Sequence, residues 1–135
     1  MPPVPGSSPT ILVVDDELAV LNLVKLILET AGYTVLPASD VHQALAFFQN
    51  RDCSIDLLLT DINMPDFSGL ELAGRVSEIA PRVPVLFMTG CRAENPGIEL
   101  LRAAGPFSDC PVISKPFTSD ELLAEVSGIF STTTR

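Results

Sequence analysis

Basic residues are scarce in this chain. Eight Lys and Arg stand against 17 Asp and Glu in 135 residues, a net charge of −9. A protein that grips a nucleic-acid backbone needs a basic face, and eight scattered cations do not build one. Long apolar runs are missing too: none approaches the roughly 18 residues of a membrane-spanning helix. The start, Met1-Pro2-Pro3-Val4-Pro5-Gly6, lacks the basic and apolar regions of a signal peptide. Cysteine is confined to Cys53, Cys91 and Cys110, an odd number at irregular spacing. That argues against a disulfide framework or a zinc site and suits a reducing cytoplasm. Histidine is confined to His42, which reads as a surface residue with no catalytic part.

What is present is an apolar, single-domain chain. Hydrophobic residues make up 47% and charged residues 19%, which is globular rather than disordered. Residues 1–9, with Pro2, Pro3, Pro5 and Pro9, read as a flexible tail or the end of a linker, and 132–135 as a loose end. The domain therefore occupies 10–131. Short apolar runs recur at Ile11 to Val14, Thr34 to Leu36, Ile55 to Leu59, Val83 to Met88 and Val112-Ile113. Runs this short, apolar on both faces, predict buried parallel strands.

Helical patterns alternate with these runs. Val20, Val24, Ile27 and Ala31 make an apolar stripe over 17–31. Val41, Ala44, Leu45 and Phe48 do so over 40–50, and Leu72, Val76 and Ile79 over 69–80. Ser68-x-x-Glu71 and Thr118-x-x-Glu121 are capping boxes, the second opening a helix with Leu122, Val126 and Ile129. Asn95-Pro96 predicts the start of a shorter helix to about Ala104. Alternation of this kind implies an α/β fold, a doubly wound parallel sheet of flavodoxin-like (βα)5 type with strand order 2-1-3-4-5.

Polar residues gather at one end of each predicted strand: Asp15 and Asp16, Asp61, Thr89 and Lys115. In an open parallel sheet these ends share one edge, and ligands bind there beside the switch point between strands 1 and 3. Three converging carboxylates repel, and a hard divalent cation relieves them. Mg²⁺ is the natural occupant, with Mn²⁺ as an alternative. A carboxylate can accept a phosphoryl group, while the cation and Lys115 stabilise the charge on its oxygens.

In order along the chain, Asp15-Asp16, Asp61 with Met64-Pro65 and Gly69 after it, Thr89-Gly90 and Lys115-Pro116-Phe117 resemble a response-regulator receiver domain. Leu57 to Asp61, Pro84 to Gly90 and Ser114 to Thr118 are similar to receivers attached to hybrid sensor histidine kinases. The resemblance implies that Asp61 is the phosphoacceptor of a phosphorelay. It implies that Asp15, Asp16, Asp61 and the backbone carbonyl of Asn63 hold Mg²⁺, and that Thr89 and Lys115 contact the phosphoryl group. It also implies a cis Lys115–Pro116 bond, and a histidine kinase or histidine phosphotransfer protein as partner. Such a domain catalyses only its own phosphorylation and dephosphorylation.

Two departures stand out. Receivers usually carry an aromatic where this chain has Val112, and the segment from Gly105 to Lys115 looks longer than usual, with Pro106, Phe107 and Pro111 in it. Weak coupling at the output face beside the last strand is expected, with a monomer or weak dimer as the result. Leu18 lies on the Asn22/Lys25/Glu29 face of its helix, away from the stripe, and is a candidate docking residue; Leu26 also stands out. Cys91 falls on the rim of the crevice. Two rival functions use the same carboxylates. An aspartate-nucleophile phosphohydrolase of the haloacid-dehalogenase type needs Asp-x-Asp, where this chain has Asp61-Ile62-Asn63. A pseudo-receiver that only binds partners would not need the full Asp15/Asp16/Asp61/Thr89/Lys115 set.

Overall fold

In this computed structural model the described residues are 9–50, 54–64, 68–90 and 110–133. The short apolar runs become five parallel strands: β1 (Thr10–Val14), β2 (Thr34–Ala38), β3 (Leu57–Asp61), β4 (Val85–Thr89) and β5 (Val112–Ser114). They form one sheet in the order β2-β1-β3-β4-β5. Every residue of β3 and β4 is buried, because helices cover both faces and no strand residue there meets water. The edge strands β2 and β5 are less buried. Pro37, just past the apolar run Thr34 to Leu36, lies inside β2 opposite Val13, a position an edge strand tolerates. Ile55 and Val83 fall just outside β3 and β4 and pack half-buried at the rim of the core.

Helices α1 (Leu18–Thr30) and α4 (Ser119–Thr133) cover one face; α2 (Val41–Gln49) and α3 (Gly69–Ile79) cover the other. Alternate strand residues divide between them. Ile11, Val13, Leu57, Leu59, Leu86 and Met88 meet α1 and α4, while Leu12, Val14, Leu58, Val85 and Phe87 meet α2 and α3. Both capping boxes form. Ser68 and Glu71 exchange bonds at the start of α3. The Thr118 N–H donates to Glu121 Oε1 (2.8 Å) and the Glu121 N–H to Thr118 Oγ1 (3.0 Å). The Tyr33 and Phe130 rings stack with centroids 5.6 Å apart, joining the end of α1 to α4.

Three expectations change. The buried face of α1 is Leu21, Val24 and Leu28; Val20 and Ile27 are half-buried, and Ala31 is the exposed C-cap. Leu18, Leu21, Leu23, Leu26 and Leu28 add apolar side chains outside the Val20/Val24/Ile27/Ala31 stripe, so periodicity places the inward arc to one side of the one the sheet covers. Ile79 is 47% exposed. The buried arc of α3 is centred between Leu72 and Ala73, and Ile79 lies at its rim. Helix α4 runs to Thr133, so Thr132 and Thr133 continue the helix instead of starting a loose end. The segment with the expected helix from Asn95 to Ala104, together with Cys53, Pro65, Cys91, Phe107 and residues 1–8 of the tail, lies outside the described residues.

Candidate phosphoryl-transfer site

Strand order alone brings the key side chains together. β1 and β3 are neighbours with Val14 opposite Thr60, so Asp15 and Asp61 emerge side by side at the carboxyl edge. The chain leaves β1 for β2 on one side and returns to β3 on the other, which makes this the switch point of the sheet. Asp15, Asp16 and Asp61 each offer a carboxylate oxygen, all within 4.8 Å of one another. Asp15 and Asp61 are buried and Asp16 is exposed.

Lys115 closes the site from β5. Its Nζ donates to Asp15 Oδ2 and Asp61 Oδ2, both at 2.9 Å. The backbone that carries it is tied down as well: the Lys115 N–H donates to the carbonyl of Thr89 (2.7 Å), and the Lys115–Pro116 bond is cis. Thr89 ends β4 on the same edge and is fully buried. Asn63 is exposed, and its N–H donates to Asp61 Oδ1 (3.1 Å). Each oxygen of Asp61 is thereby oriented by a donor, one by the ammonium and one by a backbone amide.

The electrostatics follow from burial. Desolvation pushes the Asp61 carboxyl above its ordinary value. The hydrogen bond and charge of Lys115 oppose that push, and the charge of Asp15 adds to it. For Lys115, burial alone would favour the neutral amine. Its hydrogen bonds to Asp15 and Asp61 outweigh this, so the lysine is held above its usual range and stays an ammonium. Asp15, Asp16 and Asp61 offer hard carboxylate oxygens, which is the chemistry Mg²⁺ selects.

Two features of the site were not foreseen from the residues. Glu17 Oε1 is a third carboxylate partner of Lys115, at 3.4 Å; Glu17 stands at the start of a helix instead of the end of a strand, so the strand-end pattern does not include it. Gly69 was singled out only as part of a motif. Here its N–H donates to the carbonyl of Ile62 (2.7 Å). A Cβ at Gly69 would overlap the backbone carbonyl oxygen of Asp61. Only glycine lets α3 begin so close to the functional strand end. Of the expected residues outside the site, His42 is exposed on α2 and Leu18 is 62% exposed at the start of α1.

Known proteins share this fold. Residues 11–127 match the family model described as response regulator receiver domain. The response regulator receiver protein CpdR of Brucella abortus is 37% identical over 120 residues, covering 86% of this chain and 92% of CpdR. The transcriptional regulatory protein TrcR of Mycobacterium tuberculosis is 36% identical over 124 residues, covering 92% of this chain and 46% of TrcR. The chain thus spans about half the length of that relative. Among solved structures, the response regulator TrrA of Thermotoga maritima in complex with Mg²⁺ and BeF superposes with a TM-score of 0.74 at 31% identity, covering 90% of this chain and 98% of TrrA. No helix among the described residues is long and apolar enough to cross a membrane. With the fold, the acidic switch-point pocket and the match over nearly the whole chain in agreement, the protein belongs to the response regulator receiver domain family.

Proposed function

We propose that Asp61 is the phosphoacceptor of this receiver and takes its phosphoryl group from a phosphohistidine on a histidine kinase or histidine phosphotransfer protein. The observation that carries the reading is the Lys115 ammonium, bonded at 2.9 Å to both Asp15 and Asp61 over a cluster of three carboxylates. In the transfer, an Asp61 oxygen bonds to phosphorus as the phosphorus–nitrogen bond breaks. The electron pair stays on the partner's imidazole. The Lys115 ammonium and the Asn63 N–H already lie on the two Asp61 oxygens, where they can hold charge that moves onto the phosphoryl group. Thr89, on the same edge, supplies a hydroxyl for one of its oxygens. Asp15, Asp16, Asp61 and the backbone carbonyl of Asn63 would hold Mg²⁺, or Mn²⁺ in its place. When bound, the ion neutralises the charge gathered on these carboxylates and on the transferring oxygens.

The haloacid-dehalogenase alternative has no support, because Asn63 stands where its acid–base Asp belongs. The domain acts in the cytoplasm, catalyses only its own phosphorylation and dephosphorylation, and is one part of a longer relay. Attachment to a hybrid sensor kinase is tested by sequencing the coding frame upstream of Met1. Leu18, 62% exposed and close in sequence to Asp15, is the proposed anchor for the phosphohistidine partner. Incubation with acetyl phosphate and Mg²⁺ should add one phosphoryl group by intact mass, and Asp61→Asn should abolish it. Label that survives Asp61→Asn would sink the assignment. Leu18→Ala should slow transfer from the protein donor and leave acetyl-phosphate labelling unchanged; if both slow together, the docking role is lost.

A further inference from the structure

We propose that Glu17 is a positioning residue for Lys115, competing with the phosphoryl group for its ammonium. The proposal rests on the phosphoacceptor role of Asp61. An ammonium has three N–H donors, and here three carboxylates face it: Asp15 Oδ2 and Asp61 Oδ2 at 2.9 Å, and Glu17 Oε1 at 3.4 Å. The first two side chains are 0% and 7% exposed, while Glu17 is 63% exposed. Glu17 therefore draws Lys115 from the solvent side. Its backbone is fixed to the same cluster, since its N–H donates to Asp15 Oδ1 (2.9 Å).

The helix start does not explain Glu17. It is the N-cap of α1, yet its side chain makes no capping bond, and Glu is not among the residues that cap well. The carboxylate turns to β5 instead. When phosphoryl oxygens arrive at Asp61, Lys115 must turn to them, and a partner that holds it outward slows that turn. An exposed ion pair of this kind biases its partner by a factor of about two to five.

The test uses phosphoramidate with Mg²⁺ as donor. An Asp61 oxygen bonds to phosphorus, the phosphorus–nitrogen bond breaks, and the already protonated nitrogen leaves as ammonia with the electron pair. Initial labelling rates are compared for the unaltered protein, Glu17→Gln and Glu17→Asp, and for Lys115→Met with and without Glu17→Gln. Glu17→Asp keeps the charge but is one methylene too short for the contact. Both Glu17 variants should label about two- to fivefold faster, and the gain should vanish on the Lys115→Met background. A urea double-mutant cycle between the two positions should show coupling. The idea is overturned by unchanged rates in both Glu17 variants. It is also overturned if Glu17→Asp behaves like the unaltered protein while Glu17→Gln is faster, which would point to charge at the mouth alone. A gain that persists without Lys115, or zero coupling in urea, overturns it too. Failure of the unaltered protein to label refutes the phosphoacceptor role of Asp61, and this proposal with it; normal labelling with unaffected variants refutes Glu17 alone.

Discussion

Gly69→Ala tests how tightly the functional strand end is packed. The added Cβ would overlap the carbonyl oxygen of Asp61 and lie 2.9 Å from its carbonyl carbon and 3.0 Å from the Cα of Ile62. All three are backbone atoms, so no flexible side chain can swing aside, and the first turn of α3 must retreat. Overpacking of this kind costs about 1–3 kcal/mol. Retreat also stretches the Gly69 N–H to Ile62 carbonyl bond, worth about 0.5–1.5 kcal/mol. The better helix propensity of Ala returns at most about 1 kcal/mol, and less in a first turn. The net loss is about 2–3 kcal/mol, read as a fall in the urea midpoint or a drop of about 6–15 °C in Tm for a domain of this size. Labelling at Asp61 should slow as well, because the displaced contact is its own carbonyl. Gly74→Ala is the control. It lies in the same helix with nothing within 4 Å of its added Cβ, and should gain about 0.5–1 kcal/mol. If Gly69→Ala is as stable as the parent, or gains as Gly74→Ala does, the close approach of α3 to Asp61 is refuted.

Three further outcomes are expected. Lys115→Met leaves the buried Asp15 and Asp61 carboxylates facing each other and should cost about 2–4 kcal/mol at pH 8 without Mg²⁺, discounted from the cost of a fully buried pair for partial exposure. The raised pKa of Asp61 means that the folded state binds its proton more tightly than the unfolded chain. Stability from this group is present below the unfolded value and lost as pH rises through the folded one. The Lys115→Met deficit should therefore shrink between pH 8 and pH 5 in urea titrations, and a deficit that grows on acidification contradicts the charge argument. Asp16→Ala should blunt the rise in Tm that millimolar Mg²⁺ produces by mass action, with little loss of stability without metal because Asp16 is exposed; an undiminished Mg²⁺ shift would remove Asp16 from the site. Val112, half-buried beside Phe87, has little χ1 freedom and cannot swing as a ring does, so a beryllofluoride mimic should leave the protein a monomer or weak dimer in sedimentation. A clean switch to dimer shows that coupling needs no aromatic at 112.

Much of this protein is written in local sequence. Strands buried on both faces must be apolar throughout, so Ile11 to Val14 and Leu57 to Leu59 announce themselves without reference to neighbours. Capping boxes at Ser68 and Thr118 act within one turn, and both form as read. Even the carboxylate cluster is legible, because in a parallel sheet every strand's last residue reaches the same edge. Other features needed the folded chain. The arc of α1 that faces the sheet reads from the sequence as Val20, Val24, Ile27 and Ala31, because Leu18, Leu21, Leu23, Leu26 and Leu28 spread apolar side chains beyond one stripe; docking against β1, β2 and α4 chose Leu21, Val24 and Leu28. The need for glycine at 69 comes from a carbonyl in another element, and the grip of Glu17 on Lys115 joins residues 98 positions apart. Contacts of that kind depend on distances between elements, and those distances exist only after the sheet has assembled.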